Sequence, residues 1–289
     1  AWDRYGKGHP PQDDYPYDVG RLWDPYNQNV LKGDFPIFGQ HTFLELTASS
    51  FSLMEPRLIP TGTSAFESTQ NPAQREFFGN PNQLVYIHQL AVSLDLFHGD
   101  AAFKPVDWRV RIAPTFNSNN IGVSELAVVS PDVQEGSYRN RTFSTLQEWF
   151  IEKKLADIGP NYDFVSVRIG SQPFVSDFRA FISTDLNRGG RFFAPTEANR
   201  NQFNLAYFDQ QEKDTNSLLN TFSSRNQQVL VANFYRQDFI WPGYTMQASV
   251  HYNHDDPSFK FDKNLFLVRP DPVGQFKPHG LDICYLGFA

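Results

Sequence analysis

The chain has 289 residues and a formal net charge of −7, with 40% apolar residues and 16% aromatic ones, 28 of them Phe and 12 Tyr. Lys and Arg are dispersed with no basic block, which argues against nucleic acid as a partner. No run approaches the roughly 18 charge-free apolar residues of a spanning helix, which excludes a helical membrane protein but not a β-barrel. Many rings in so polar a chain suit either a barrel facing lipid or a secreted β-sandwich with an aromatic core.

Residues 1–41 stand apart. Pro10, Pro11, Pro16, Pro25 and Pro36 sit among Asp, Tyr and Gly. Proline fixes φ and removes donors, so an extended arm without regular ladders is expected, a periplasmic strap or a plug. Trp2, Tyr5, Tyr15, Tyr17, Trp23 and Tyr26 argue that the arm docks on something. The start, Ala1-Trp2-Asp3, has neither charged nor apolar leader regions, as expected of a secreted protein in mature form.

From residue 42 to 289 the period is two. In 83–98, Leu84, Tyr86, Leu90, Val92, Leu94 and Leu96 share one face and Gln83, Gln89, Ser93 and Asp95 the other. In 107–116, Trp108, Val110, Ile112 and Phe116 alternate with Asp107, Arg109, Arg111 and Thr115. The pattern returns at Val165–Ile169, Phe203–Tyr207, Tyr244–Asn253 and Leu281–Tyr285. Less regular strands are expected at 42–54, 122–130, 142–154 and 227–238, about ten in all. A helix within 143–158 also fits Leu146, Phe150 and Leu155, but strand is preferred. Turns are expected at 80–82, 118–120, 157–161 and 255–257, and long polar loops at 174–200 and 210–226. Several runs exceed the roughly 5–6 residues usual in sandwiches and reach the roughly 9–11 that cross a bilayer.

Catalytic and cofactor signatures are missing: no HExxH, P-loop, GxGxxG after a strand, GxSxG or haem-attachment motif. The chain is therefore read as no enzyme, with no cofactor and no metal. Cys284 is the one cysteine, a small packing residue that can form no internal disulfide. His251-Tyr252-Asn253-His254-Asp255-Asp256 is the one ligand-like cluster, but alternation sends His251 and His254 to opposite faces. Asn140-Arg141-Thr142 matches a glycosylation sequon by accident of composition.

The arginines carry the functional expectation. Arg109, Arg111 and Arg168 lie on polar strand faces. Arg179, Arg188 and Arg191 follow in a Gly-containing loop. In a lumen, unpaired guanidinium groups favour anions. Arginines paired with Asp107, Asp177 or Asp185 would only brace the wall.

Tyr162 to Phe174, with Arg168-Ile169-Gly170-Ser171-Gln172 at its centre, then the Arg/Gly loop and Arg191-Phe192-Phe193, resembles strand–loop–strand segments of Gram-negative outer-membrane porin-like barrels. Such barrels often have an Arg-x-Gly-x-Gln strand before an inward-folding loop. The close resemblance spans these segments alone. It implies an antiparallel up-and-down transmembrane β-barrel in the bacterial outer membrane, passing small solutes. Its partners are membrane lipid and those solutes. The final Phe288-Ala289 departs from the usual aromatic end, so the expectation is a chain that continues or a barrel that does not close on itself. The competing expectations are a surface β-sandwich binding glycan or protein, and a barrel that scaffolds a homo-oligomer or larger envelope complex.

Overall fold

In the computed structural model, the described residues are 22–23, 26, 29–59, 80–99, 104–126, 128–130, 132–176, 182–255 and 279–288, the last for backbone only. Eleven strands run in chain order: β1 (Lys32–Phe38), β2 (Thr42–Leu58), β3 (Asn82–His98), β4 (Trp108–Val123), β5 (Tyr138–Asp157), β6 (Phe164–Val175), β7 (Thr184–Thr196), β8 (Asn201–Lys213), β9 (Asn220–Gln237), β10 (Thr245–Asp255) and β11 (His279–Phe288). They form one antiparallel up-and-down sheet in which each strand pairs with its sequence neighbours. β1 and β11 do not pair, so the sheet is not closed. A single sheet in this order has no second layer of strands, so the expected sandwich architecture is not found among the described residues.

The alternating residues form strands for an unusual reason. The face buried by the sheet's curvature is the one that carries the polar residues, interspersed with Phe43, Phe97, Phe150 and an apolar cluster of Phe174, Ala206, Phe208 and Val231. Asp95, Asn117, Gln147, Glu152, Gln172, Asn204 and Asn233 are buried, Gln172 completely. The apolar set faces outward: Ile151 is 61% exposed, Ile169 62%, Leu205 44% and Val250 45%. Leu84, Leu94 and Ile112 are exposed and Tyr86, Val92, Trp108 and Val110 half-exposed, while Asp95 lies opposite them. Water rewards the reverse arrangement, so a sheet built this way buries hydrogen-bonding groups and presents an outward apolar band, beyond which Ser52, His88, Ser118 and Asn120 share the outer face.

Curvature is shown by contacts that a flat sheet forbids. Four strand spacings would separate β5 from β9 by about 19 Å. Yet Thr145 Oγ1 of β5 donates to the Asn220 carbonyl of β9 at 2.8 Å, and the Asn220 amide donates to Gln147 Oε1 at 3.1 Å. Gln147 reaches this position through a bulge: Ala113 pairs with Glu148 and Pro114 with Leu146, leaving Gln147 extra. Pro114 cannot donate to the ladder, which makes this the place where it breaks.

Several expectations fail for identifiable reasons. The loop expected at 174–200 is largely a strand, β7, whose Gly189-Gly190 looked like a turn. Gly189 instead sits where a Cβ would lie 2.0 Å from the Tyr207 carbonyl oxygen, a close approach of neighbouring strands. The loop expected at 210–226 holds the end of β8 and the start of β9, with only a short turn between. Asn119-Asn120 lies inside β4 and not in a turn, and the strand expected at 122–130 ends at Val123. Within the arm of 1–41, residues 32–38 form a strand, β1, despite Pro36, though with an irregular ladder. It is an edge strand with register shifts on both sides of that proline. The segment 143–158 is strand, as preferred. Residues 1–21, with Trp2 and most of the arm's prolines, lie outside the described residues. Within the described part of the arm, β1 packs on the sheet, with Gly33 against the Phe97 ring, which stacks on Phe43 at 5.6 Å between centroids, but, against the expectation that the arm's rings dock, Trp23 is 91% exposed and Tyr26 93%.

If the outer face meets lipid, Leu205→Arg places a charge in hydrocarbon and costs about 2–4 kcal/mol in bilayer-reconstituted protein. A water-exposed position would tolerate it within about 0.5 kcal/mol. Urea unfolding of the two proteins in vesicles measures the difference.

Candidate functional site at Arg191

Register gathers the charges into one row. Phe97 pairs with Arg109, Arg109 with Glu152, Glu152 with Arg168, Arg168 with Arg191, and Arg191 with Ala206. The row runs across β3 to β8 on the concave face. Along it the charge alternates until Arg168 and Arg191, two cations side by side, a cross-strand pair that is repulsive by itself. The position that would carry the next carboxylate holds Ala206.

Five of the six arginines expected to face a lumen can now be placed with their partners. Arg109 Nε lies 3.2 Å from Asp95, and Arg111 bridges Asp95 at 3.4 Å and Glu148 at 2.7 Å. Arg168 donates through Nε at 2.9 Å and Nη2 at 2.5 Å to one Glu152 oxygen. These are wall braces, but their acids are not the expected ones. Asp107 pairs with Lys154 and His98, and Asp185 with Lys213. Arg188 does not belong with the others. It pairs across the ladder with Ser171 and Asp209, so it shares the outer face with Ile169 and Tyr207, ion-paired to Asp209. Arg179 and Asp177 lie outside the described residues.

Arg191 differs from all of these. Among the described residues it has no carboxylate partner. Its Nε donates to Asn204 Oδ1 at 2.7 Å. Asn204 Nδ2 donates to Asn233 Oδ1 at 2.8 Å, and Asn233 Nδ2 to the Ser176 carbonyl at 2.9 Å. A guanidinium can only donate, so it fixes the direction of every bond in this chain. The repulsion from Arg168 is offset by rings: the Arg191 guanidinium lies 4.8 Å from the Phe193 centroid and 5.3 Å from Phe174, and that of Arg168 lies 4.4 Å from Phe150. Phe150 and Phe208 flank the paired Gly170 and Gly189, where any Cβ would strike the neighbouring backbone.

The Ser176 carbonyl belongs to the end of β6, yet it meets β9, three strands away, and Ser249 Oγ of β10 at 3.5 Å. The end of β6 at Ser176 therefore bends in over the concave face. The β8–β9 turn does the same farther round. Asn119 Nδ2 donates to the Asn216 carbonyl at 2.6 Å and Asn220 Nδ2 to the Leu186 carbonyl at 2.8 Å. Asp214 caps that turn, and hydrogen bonds from the Ser217 hydroxyl and the backbone amides of Ser217 and Asn216 hold its carboxyl below the usual carboxylate range.

Beside the inward end of β6 lies a cavity of about 420 Å³ lined by Val175, Arg191, Asn199, Gln202, Asn204, Asn233, Tyr235, Gln237 and Gln247. Its walls carry one cation, six amides, a phenol and no carboxylate. The amides were missed from sequence because Asn and Gln on a strand read only as polar face. No cluster able to hold a metal occurs among the described residues. His251 is buried on the concave face and His254 half-exposed on the other side of β10, apart as alternation required. Comparison of the chain with protein-family models, with curated proteins and with solved structures finds no match.

Asn233→Leu removes both the acceptor for Asn204 and the donor to Ser176 while keeping side-chain size. Amide hydrogen exchange around Ser176 and Ser183 should then speed up at least about tenfold, the equivalent of one lost hydrogen bond of roughly 1.4 kcal/mol. Unchanged protection would show that the hairpin holds its place without this contact.

Proposed function

We propose that this protein is an outer-membrane β-barrel whose polar concave face lines a passage for small solutes, biased toward anions by Arg191. The observation that carries the reading is the reversal of faces: a polar interior behind an apolar outer surface on strand after strand. The strands support it. β2 to β10 have the length to cross a bilayer at a tilt. The three longest connections, 59–81, 124–137 and 256–278, all leave the same end of the sheet, while 39–41, 158–163, 197–200 and 238–244 are short turns at the other. Barrels of the outer membrane have long outer loops and short periplasmic turns, so the short-turn end is assigned to the periplasm. Trp108, opposite Lys153 on the outer face, and the exposed Trp241 and Tyr244 sit near that end, and Tyr138 near the other. Rings and cations at such heights suit membrane interfaces. Lipid tolerates no open sheet edge, so the reading requires the free edges of β1, β2 and β11 to be paired in the membrane.

The mechanism is electrostatic and involves no covalent step. A guanidinium in a narrow, partly desolvated passage acts on a passing ion far more than one in bulk water. Arginines already neutralised by Asp95, Glu148 and Glu152 add little, so the bias rests on Arg191.

The test is the reversal potential of the protein in a planar bilayer under a potassium chloride gradient. The natural protein should favour chloride, Arg191→Gln should move the potential toward the cation side, and Arg188→Gln, on the outer face, should leave it in place. Failure to form channels would overturn the passage reading, and an unmoved potential in Arg191→Gln would overturn the anion bias.

A further inference from the structure

The cavity beside Arg191 is more particular than anion bias requires. A passage that merely attracts an inorganic anion such as chloride needs positive charge, and donors alone suffice, because chloride only accepts. Here the single guanidinium is surrounded by carboxamides, each of which both donates and accepts. Asn204 and Asn233 are held in fixed orientation by the chain of hydrogen bonds that begins at Arg191 Nε. The two terminal amino groups of the Arg191 guanidinium make no hydrogen bond to the described residues, and the side chain lines the cavity. Two parallel N–H groups match the two oxygens of a carboxylate. Gln202 and Gln237 lie around the same space. They offer donors and acceptors at several points, the pattern that hydroxyl groups satisfy. About 420 Å³ falls within the roughly 300–1,000 Å³ range of small-molecule sites.

We propose that this cavity is a binding site for a small hydroxylated monocarboxylate, of the sugar-acid class: the carboxylate on the Arg191 fork, the hydroxyls on the surrounding amides. One acid group is specified because the cavity offers one cation without an acidic partner; a second carboxylate would enter unpaired. The proposal rests on the passage reading for its biological setting, since such a site would select the solute. Its chemistry depends only on the concave face.

Isothermal titration of the full chain folded in detergent micelles with gluconate, glucose, acetate and sodium chloride tests it, each protein's folding being checked by heat-modifiable gel migration. Gluconate should bind saturably, and acetate and glucose at least about tenfold more weakly, because each lacks one half of the recognition. Arg191→Gln should abolish gluconate binding, and Arg191→Lys, which keeps the charge but not the fork, should weaken it. Arg188→Gln should bind as the natural protein does. Asn204→Ala should weaken gluconate and leave acetate unchanged. Acetate or chloride binding as tightly as gluconate would overturn the proposal in favour of a bare anion site. Equal binding of glucose that survives Arg191→Gln would overturn it in favour of a neutral sugar site, and absence of saturable gluconate binding by folded protein would overturn it outright. Because titration needs no membrane, binding without conductance upholds the site and contradicts passage. Conductance without binding does the reverse.

Discussion

Strand register is the constraint on which the rest of this structure depends. Side chains alternate with a period of two, so a slip of one residue between neighbours would carry a whole strand's polar set to the apolar face. The unshifted pairings of β2 with β3, β3 with β4, β6 with β7, β7 with β8 and β9 with β10 keep the sets apart. The same register draws Arg109, Glu152, Arg168 and Arg191 into one row and ends that row at Ala206. Had β8 carried an acid at this position, Arg191 would be one more brace. The unmatched cation is thus a consequence of pairing and not of local sequence.

The second layer of organisation is what bends inward. A polar concave face is stable only if its groups find partners, since each buried donor or acceptor left alone costs about 1–3 kcal/mol. Here the strand ends supply some of them, while Asn117 Oδ1, Gln172 Oε1 and Asn187 Oδ1 have no partner among the described residues. The end of β6 brings the Ser176 carbonyl to Asn233 and Ser249, and the β8–β9 turn brings Asn220 to Thr145 and Gln147. The two reach across the concave face and satisfy part of the wall at the same time. Inward folding and satisfaction of the wall are therefore the same set of hydrogen bonds, which is why Asn233 matters to both.

Alternation alone is enough to read the outer and inner faces of β3, β4, β8 and β10, because one face of each is mostly apolar, broken by His88 on β3, Ser118 and Asn120 on β4, Asp209 on β8 and His254 on β10. It fails where the physics is not carried by periodicity. β7 looked like a loop because Gly189 and Gly190 are turn formers in isolation; only the closeness of the Tyr207 backbone explains a glycine there. The asparagines of β4 look like a turn for the same reason, yet Asn119 is needed on the ladder to hold the Asn216 carbonyl. Six arginines were equivalent as residues. Which are neutralised depends on cross-strand neighbours from 13 to 37 positions away, such as Asn204 from Arg191 and Glu148 from Arg111, and no local pattern encodes that. Arg188 shows the limit most plainly: it is three residues from Arg191 and on the opposite face.

The reversal of faces is tested most directly by site-directed spin labelling along β8 in lipid vesicles, on a Cys284→Ser background. Labels at Phe203, Leu205 and Tyr207 should collide with dissolved oxygen, which concentrates in the bilayer, and be shielded from a water-soluble nickel chelate. Labels at Gln202, Asn204 and Gln210 should show the reverse, giving a period of two in the accessibility ratio. A ratio that does not alternate, or labels at Phe203, Leu205 and Tyr207 that are open to the nickel chelate, would contradict the account and remove the membrane from it.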